Sequence, residues 1–191
     1  MKIAFCGGAG EVGASCYLVN IDGKNILLDC GVRLKSGNKD ILPDFRKIQE
    51  MGGVDAILVS HAHLDHSGSL PNISREYPLA RIYMTHVTKD LVNVLLYDSL
   101  KIMNNKEGEI PIYAEAHVRN MMERILCYSP HFSFKPFTDR EMTVTFYPAG
   151  HIAGAALIYI QGEEGTLLYT GDLSLTRQQT VNGAFIPPLR P

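Results

Sequence analysis

The spacing of hydrophobic and polar positions changes several times along this chain, and each change marks an element. Residues 2–6 read as a short apolar strand, and residues 7–13 as a glycine-rich loop. Residues 15–21 then alternate with the period of two expected of a half-buried strand, Asp22-Gly23 is a hairpin signal, and residues 24–30 return as the next strand. The stretch 8–13 matches Gly-x-Gly-x-x-Gly, but a dinucleotide site needs a helix to start there and receive the pyrophosphate. The alternation that follows predicts a strand, so the glycines are read as letting a loop pass close to a functional centre.

Further on, residues 35–39 read as a surface loop, 45–51 as a short helix and 56–60 as a buried apolar strand. A helix is expected over 67–77, with Pro71 in its opening turn and Pro78 beyond its end. Residues 81–84 form a strand. Thr88 is expected to cap a long helix reaching about Met103, with Leu91, Val94, Leu95 and Met103 as its apolar stripe. Val118, Met121, Met122, Ile125 and Leu126 recur at helical spacing and predict a helix over 115–127 whose methionines are core. Strands follow at 142–147, 155–161 and 166–170, the last two joined as a hairpin through Gly162-Glu163-Glu164-Gly165; the proline-rich end, 185–191, has no element of its own.

Composition narrows the possibilities. A chain of 191 residues, 46% hydrophobic, suffices for one domain with a core. No apolar run of about 18 residues occurs, so no membrane span is expected. The N-terminus is too short and too soon interrupted by glycine for a signal peptide, so a cytoplasmic location is expected. Cys6, Cys16, Cys30 and Cys127 show no Cys-x-x-Cys pairing and read as buried small hydrophobes. A net charge of −2 argues against a stand-alone nucleic-acid binder, so a basic surface for such a ligand would have to lie outside these residues.

The chemistry concentrates in His61-Ala62-His63-Leu64-Asp65-His66, directly after the 56–60 strand. Three of the chain's seven histidines fall in this hexapeptide, which makes a merely polar loop a poor explanation. Imidazoles with a carboxylate suit a borderline cation such as zinc, and the alternation lets His61 and His63 face one ion while Asp65 and His66 face another. Of the other histidines, His86 at a strand-to-helix junction reads as structural, and His117 and His131 read as surface residues.

The hexapeptide resembles the second motif of the metallo-β-lactamase superfamily. Asp29 in Ile26-Leu27-Leu28-Asp29-Cys30-Gly31 resembles the first motif, His151 in Pro148-Ala149-Gly150-His151 the third, and Asp172 in Tyr169-Thr170-Gly171-Asp172 the fourth. Within the superfamily, the stretches 7–17 and 83–91 resemble the β-CASP nucleases, closest to the branch of the pre-mRNA cleavage and polyadenylation endonuclease and its bacterial and archaeal relatives. The resemblance implies an α+β fold, the αβ/βα sandwich, represented here by its N-terminal part with a mixed sheet and flanking helices. It implies that His61, His63 and His151 hold one zinc ion, that Asp65 and His66 hold a second, and that Asp172 bridges them. Asp65 and Asp172 would be the catalytic carboxylates, with Asp65 orienting the attacking hydroxide and Asp29 orienting a ligand imidazole or its loop. Iron and manganese remain open as metals.

Two departures accompany the resemblance. Tyr113-Ala114 stands where the family has a Thr or Ser helix cap, and no histidine follows His151 to complete the second metal position. The expectation is therefore a single incomplete domain over 1–191, ending where a β-CASP insert would begin. The implied function is a metal-dependent phosphodiesterase acting on RNA through a hydroxide shared by both ions, with weak activity and self-association expected of the fragment. Two alternatives stay open: a hydrolase of a small thioester, lactone or lactam, and a non-enzymatic assembly module.

Overall fold

The computed structural model describes residues 1–34, 41–105, 110–188 and 191, and the loop expected at 35–39 lies outside the described residues. Two β-sheets pack face to face, and helices cover the other face of the first. That first sheet contains, in spatial and chain order, β1 (Lys2–Gly7), β2 (Cys16–Ile21), β3 (Lys24–Leu28), β4 (Ala56–Leu58), β5 (Arg81–Met84) and β6 (Ile125–Cys127). β1 to β3 form an antiparallel meander, whereas β3 to β6 pair in parallel. Parallel neighbours need crossovers, and helices supply them. These are α1 (Phe45–Glu50), then α2 (Leu64–Ser67) with α3 (Leu70–Glu76), then α4 (His86–Asn104) with α5 (Glu115–Met122). The second sheet is antiparallel, with β7 (Ser133–Phe134), β8 (Thr143–Pro148), β9 (Ala156–Gly162) and β10 (Gly165–Tyr169) in the spatial order β10-β9-β8-β7.

The period-two pattern explains the layering. On the helix-facing side of the first sheet, Leu18, Leu27, Ile57 and Ile82 pack against Ile48, Ile73, Val92, Leu96, Val118 and Met121. On its other side Val19, Ile26, Leu28 and Leu58 meet Val144, Phe146, Ile158 and Ile160 of the second sheet. Asp22 and Gly23 both take positive φ, 51° and 73°, the geometry that a two-residue hairpin turn requires.

Several expectations are corrected. The helix expected at 67–77 is α3, which starts three residues later, and the separate α2 ends at Ser67, because Ser69 donates its N–H to Cys30 O instead of to a helical carbonyl and Pro71 has no N–H to give. Thr88 does not cap α4. The cap is Thr85, whose hydroxyl accepts the Thr88 N–H at 3.2 Å. The buried stripe of α4 is Thr88, Val92, Leu96 and Leu100; of the expected stripe, Leu91, Leu95 and Met103 pack half-buried against the same core, and Val94 points outward. The helix expected to reach Cys127 stops at Met122, and residues 125–127 form β6 because pairing beside β5 satisfies their backbone and buries Ile125. At the head of α5 the missing cap is partly replaced, since His117 Nδ1 accepts the Ala114 N–H at 3.1 Å. Cys6, Cys16 and Cys30 are buried as expected, and Cys127 is half-buried. No helix among the described residues is long and apolar enough to cross a membrane.

Candidate metal centre

The hexapeptide leaves the C-terminal end of β4, and Asp29, just past β3, holds its start. The Asp29 side chain is fully buried. One oxygen accepts the Ser60 N–H at 2.7 Å. The other accepts the Ser60 hydroxyl at 2.6 Å and the Tyr169 hydroxyl at 2.7 Å, and lies 2.7 Å from His66 Nδ1. Burial alone would push this carboxyl toward neutrality, but its contacts with His66, His61 and Ser60 outweigh burial and hold its pKa below the usual value. Burial and the adjacent Asp29 charge drive the Tyr169 phenol far up, so it remains a donor.

The loop before β2 and the one after β3 grip the same segment from the other side. Ser15 N–H donates to Asp65 O at 2.9 Å, Cys30 N–H to His66 O at 2.8 Å and Val32 N–H to Leu64 O at 2.9 Å. Gly31 lies so close that a β-carbon there would overlap the Asp65 carbonyl. The glycine-rich stretch therefore leads into β2 and touches the site at its end, through Ser15, with no helix for a dinucleotide. A third support comes from α4. The Thr85 and Thr88 hydroxyls both donate to Gly154 O, at 2.8 and 2.9 Å, fixing the turn that carries His151.

These supports converge four imidazoles and a carboxylate. Ligand atoms of His61, His63, His151 and Asp172 lie within 4.8 Å of one another, as do those of Asp29, His61 and His66. Asp172 Oδ2 is 3.9 Å from His61 Nε2 and 3.6 Å from His151 Nε2, while its Oδ1 is 3.5 Å from His66 Nε2. Its two oxygens thus face different histidines. Asp65 is the outlying member, with Oδ2 4.0 Å from His66 Nε2. His61 and His66 are buried, His63, Asp65 and His151 are half-buried, and Asp172 is exposed, so the cluster opens to solvent on one side.

The surrounding hydrogen bonds set which ring nitrogens are free. Ser60 Oγ gives its proton to Asp29, so at 3.0 Å it accepts from His61 Nδ1, which leaves His61 Nε2 unprotonated. That Nε2 is buried and has no hydrogen-bond partner. A buried acceptor left unpaired is costly unless a cation takes it. His151 Nε2 and His63 Nδ1 face each other at 3.1 Å, which also suits two lone pairs directed at one ion. Burial, followed by repulsion from His66, lowers the His61 pKa to about 4 and keeps it a neutral ligand. Burial also lowers His151, and for His66 burial is outweighed by the Asp29 contact, which raises it. The donor set of imidazole and carboxylate fits a divalent cation.

All six sequence-expected ligands are therefore brought to one end of the two sheets, with Asp29 behind them. Ser60, Tyr169 and Ser15 were missed; Ser15 Oγ lies 3.3 Å from His66 Nε2. Only the position of Ser60 beside the hexapeptide hinted at its role. His117 is half-buried at its helix, and His86 and His131 are exposed and outside the cluster.

A family model described as metallo-beta-lactamase superfamily domain matches residues 18–188. Integrator complex subunit 11 of Danio rerio is 35% identical across 100% of this chain and 32% of that protein. Cleavage and polyadenylation specificity factor 73 of Drosophila melanogaster is 35% identical across 100% of the chain and 27% of its own length. Endoribonuclease YSH1 of Yarrowia lipolytica is 33% identical across 97% of the chain and 22% of its length. The chain thus spans about a third or less of these curated relatives. Among solved structures, a protein of unknown function from Enterococcus faecalis superposes with a TM-score of 0.63 at 22% identity, over 91% of this chain and 43% of that one.

Proposed function

The chain belongs to the metallo-beta-lactamase superfamily, and on that premise we propose that it carries the metal-binding segment of a phosphodiesterase acting on RNA. His61, His63 and His151 would hold one ion, Asp65 and His66 a second, and Asp172 would lie between them. Zinc is the metal that this donor set suits best. Bound in pairs, such ions lower the pKa of a water and neutralise charge on the attacked phosphate.

The chain's own residues do the remaining work. Asp65, half-buried at the open edge of the cluster, is the group available to orient an attacking water and accept its proton. Asp29 keeps the His66 proton on Nδ1, and Ser60 does the same for His61, so both Nε2 lone pairs stay directed inward. The observation that carries the reading is the split orientation of Asp172, one oxygen toward His61 and His151 and the other toward His66. The relatives add the substrate class, since one is named an endoribonuclease and another a cleavage and polyadenylation factor.

The test is cleavage of an end-labelled single-stranded RNA by the protein carrying this segment, beside thioester and β-lactam hydrolysis. Metal-dependent RNA cleavage lost in His63→Ala, with negligible turnover of the small substrates, is the expected result. Better turnover of a small ester than of RNA would overturn the assignment. We further propose that residues 1–191 form part of one domain, with the remaining second-site donor and the basic RNA-binding surface supplied by other segments.

A further inference from the structure

Beside the metal centre lies a second feature that the ligand set does not use. A cleft of about 630 Å³ runs between the head of α4, the turn at 129–131 and the segment 181–185, and Gly150 and Ile152, on either side of His151, form part of its wall. Its other walls include His86, His131, Val87 and Phe185, and apart from histidine its lining carries no charged side chain. His131 stands edge-on to Phe185, with centroids 4.8 Å apart at 90°, and Phe185 stacks on Tyr147 at 5.6 Å and 13°. His131 is exposed and Phe185 is 43% exposed, so ring surface is left free.

His131 is also held deliberately. It has φ of 68°, left-handed backbone that a non-glycine residue adopts at some cost, and its N–H donates to Phe146 O at 2.8 Å. The lining selects among ligand classes. A phosphate would need lysine or arginine, and neither is present. An alkyl chain would leave the imidazoles, Ser129 and Asn182 without partners. A planar heterocycle satisfies both sets, since its faces pack on rings and apolar side chains while its edge meets groups that donate and accept.

We propose that this cleft is a nucleobase subsite, receiving the base of the nucleotide next to the phosphate at the metal centre. That the base belongs to a substrate rests on the phosphodiesterase reading, whereas the binding itself does not. The cleft touches the His151 turn directly, so a base held there would place its own phosphate toward the ligand cluster, and this continuity commits the occupant to single-stranded nucleic acid.

The test uses metal-free protein, so that it does not depend on the catalytic reading. Adenosine monophosphate, ribose 5-phosphate and inorganic phosphate are titrated while the ring resonances of His86 and His131 are followed by NMR. The nucleotide is expected to bind at least about tenfold more tightly than ribose phosphate, to shift both rings, and to lose about tenfold in His131→Ala, the usual scale for one base stacked on one ring. His131→Phe should retain the preference. Phe185→Ala should weaken it, and serves as the test if His131→Ala does not fold. Equal binding of the nucleotide and ribose phosphate, or a preference unchanged by both alanine variants, would overturn the subsite. Base binding in a protein that cleaves no RNA would uphold it and reject the reading of the metal centre instead.

Discussion

Asp29→Asn changes almost no volume, so its effects isolate what the carboxylate charge does. Three side chains and one backbone N–H converge on Asp29. An asparagine can still accept from Ser60 N–H, but its NH₂ group then faces donors, and the two hydroxyls can turn away while the imidazole cannot. His66 can answer only by moving its proton from Nδ1 to Nε2, the nitrogen 3.5 Å from Asp172. A protonated Nε2 has no lone pair for a cation. Loss of a partner that orients a ligand in this way costs about 10- to 100-fold in metal affinity. Removing one member of a buried charged pair costs about 3–5 kcal/mol of stability. Nitrogen-15 NMR at alkaline pH reads the tautomer, chelator competition reads the affinity, and urea unfolding reads the stability. Tyr169→Phe is the control, since it removes one donor and no acceptor and should cost about 1 kcal/mol with the tautomer unchanged. If Asp29→Asn keeps the Nδ1 proton and binds metal like the wild type, the carboxylate does not set the ring and the reasoning fails.

Three further outcomes are expected. His61→Ala or His63→Ala should abolish tight binding at the first position, because each removes one of three nitrogens; undiminished metal content in the purified variants would rule out that ligand set. Metal titration of the 191-residue chain should be stepwise, one ion tight and the next weak, since His61, His63 and His151 meet at one position while Asp65 and His66 offer two donors besides Asp172 at the other; two equally tight ions would contradict it. Ile3 and Phe5, 46% and 55% exposed, line an apolar groove with Leu167 and Leu168 between the edge strands β1 and β10, so sedimentation should show concentration-dependent association that Phe5→Lys reduces. A monomer at every concentration would remove that expectation.

How much of the fold could be read in advance depended on whether local pattern or distant pairing decided each element. The β2–β3 hairpin was legible because Asp22-Gly23 fixes both positive φ values within the turn itself. Residues 125–127 were not, because Ile125 and Leu126 continue the helical spacing of Val118 and Met121, and only the open flank of β5 turns them into a strand. The α4 stripe was legible in part: Leu91, Leu95 and Met103 do pack against the core, but Val94 does not, and the most buried positions are Val92, Leu96 and Leu100. Shifting the cap from Thr88 to Thr85 changes no spacing, but the helix is oriented by both hydroxyls bonding Gly154, a residue 66 positions beyond Thr88.

The same division runs through the site. Ligands announce themselves, because a cation needs particular donor types and a strand end displays several of them within six residues. Their supports do not. Tyr169 reads as one more apolar strand position, and its hydroxyl reaches Asp29, 140 residues away, only because β10 packs at the same end of the sandwich as β3. Gly31 reads only as the last residue of the stretch that carries Asp29, yet its missing side chain is what admits the Asp65 carbonyl. Both act through contacts between residues distant in sequence, Tyr169 on the Asp29 carboxylate and Gly31 against the Asp65 carbonyl, so a side chain at Gly31 should disturb the metal centre without removing a ligand. It follows that the ligand set alone underdescribes this centre. The geometry of the histidines is a property of how the two sheets and α4 close around the loop, and the tautomers of His61 and His66 are a property of one buried carboxylate.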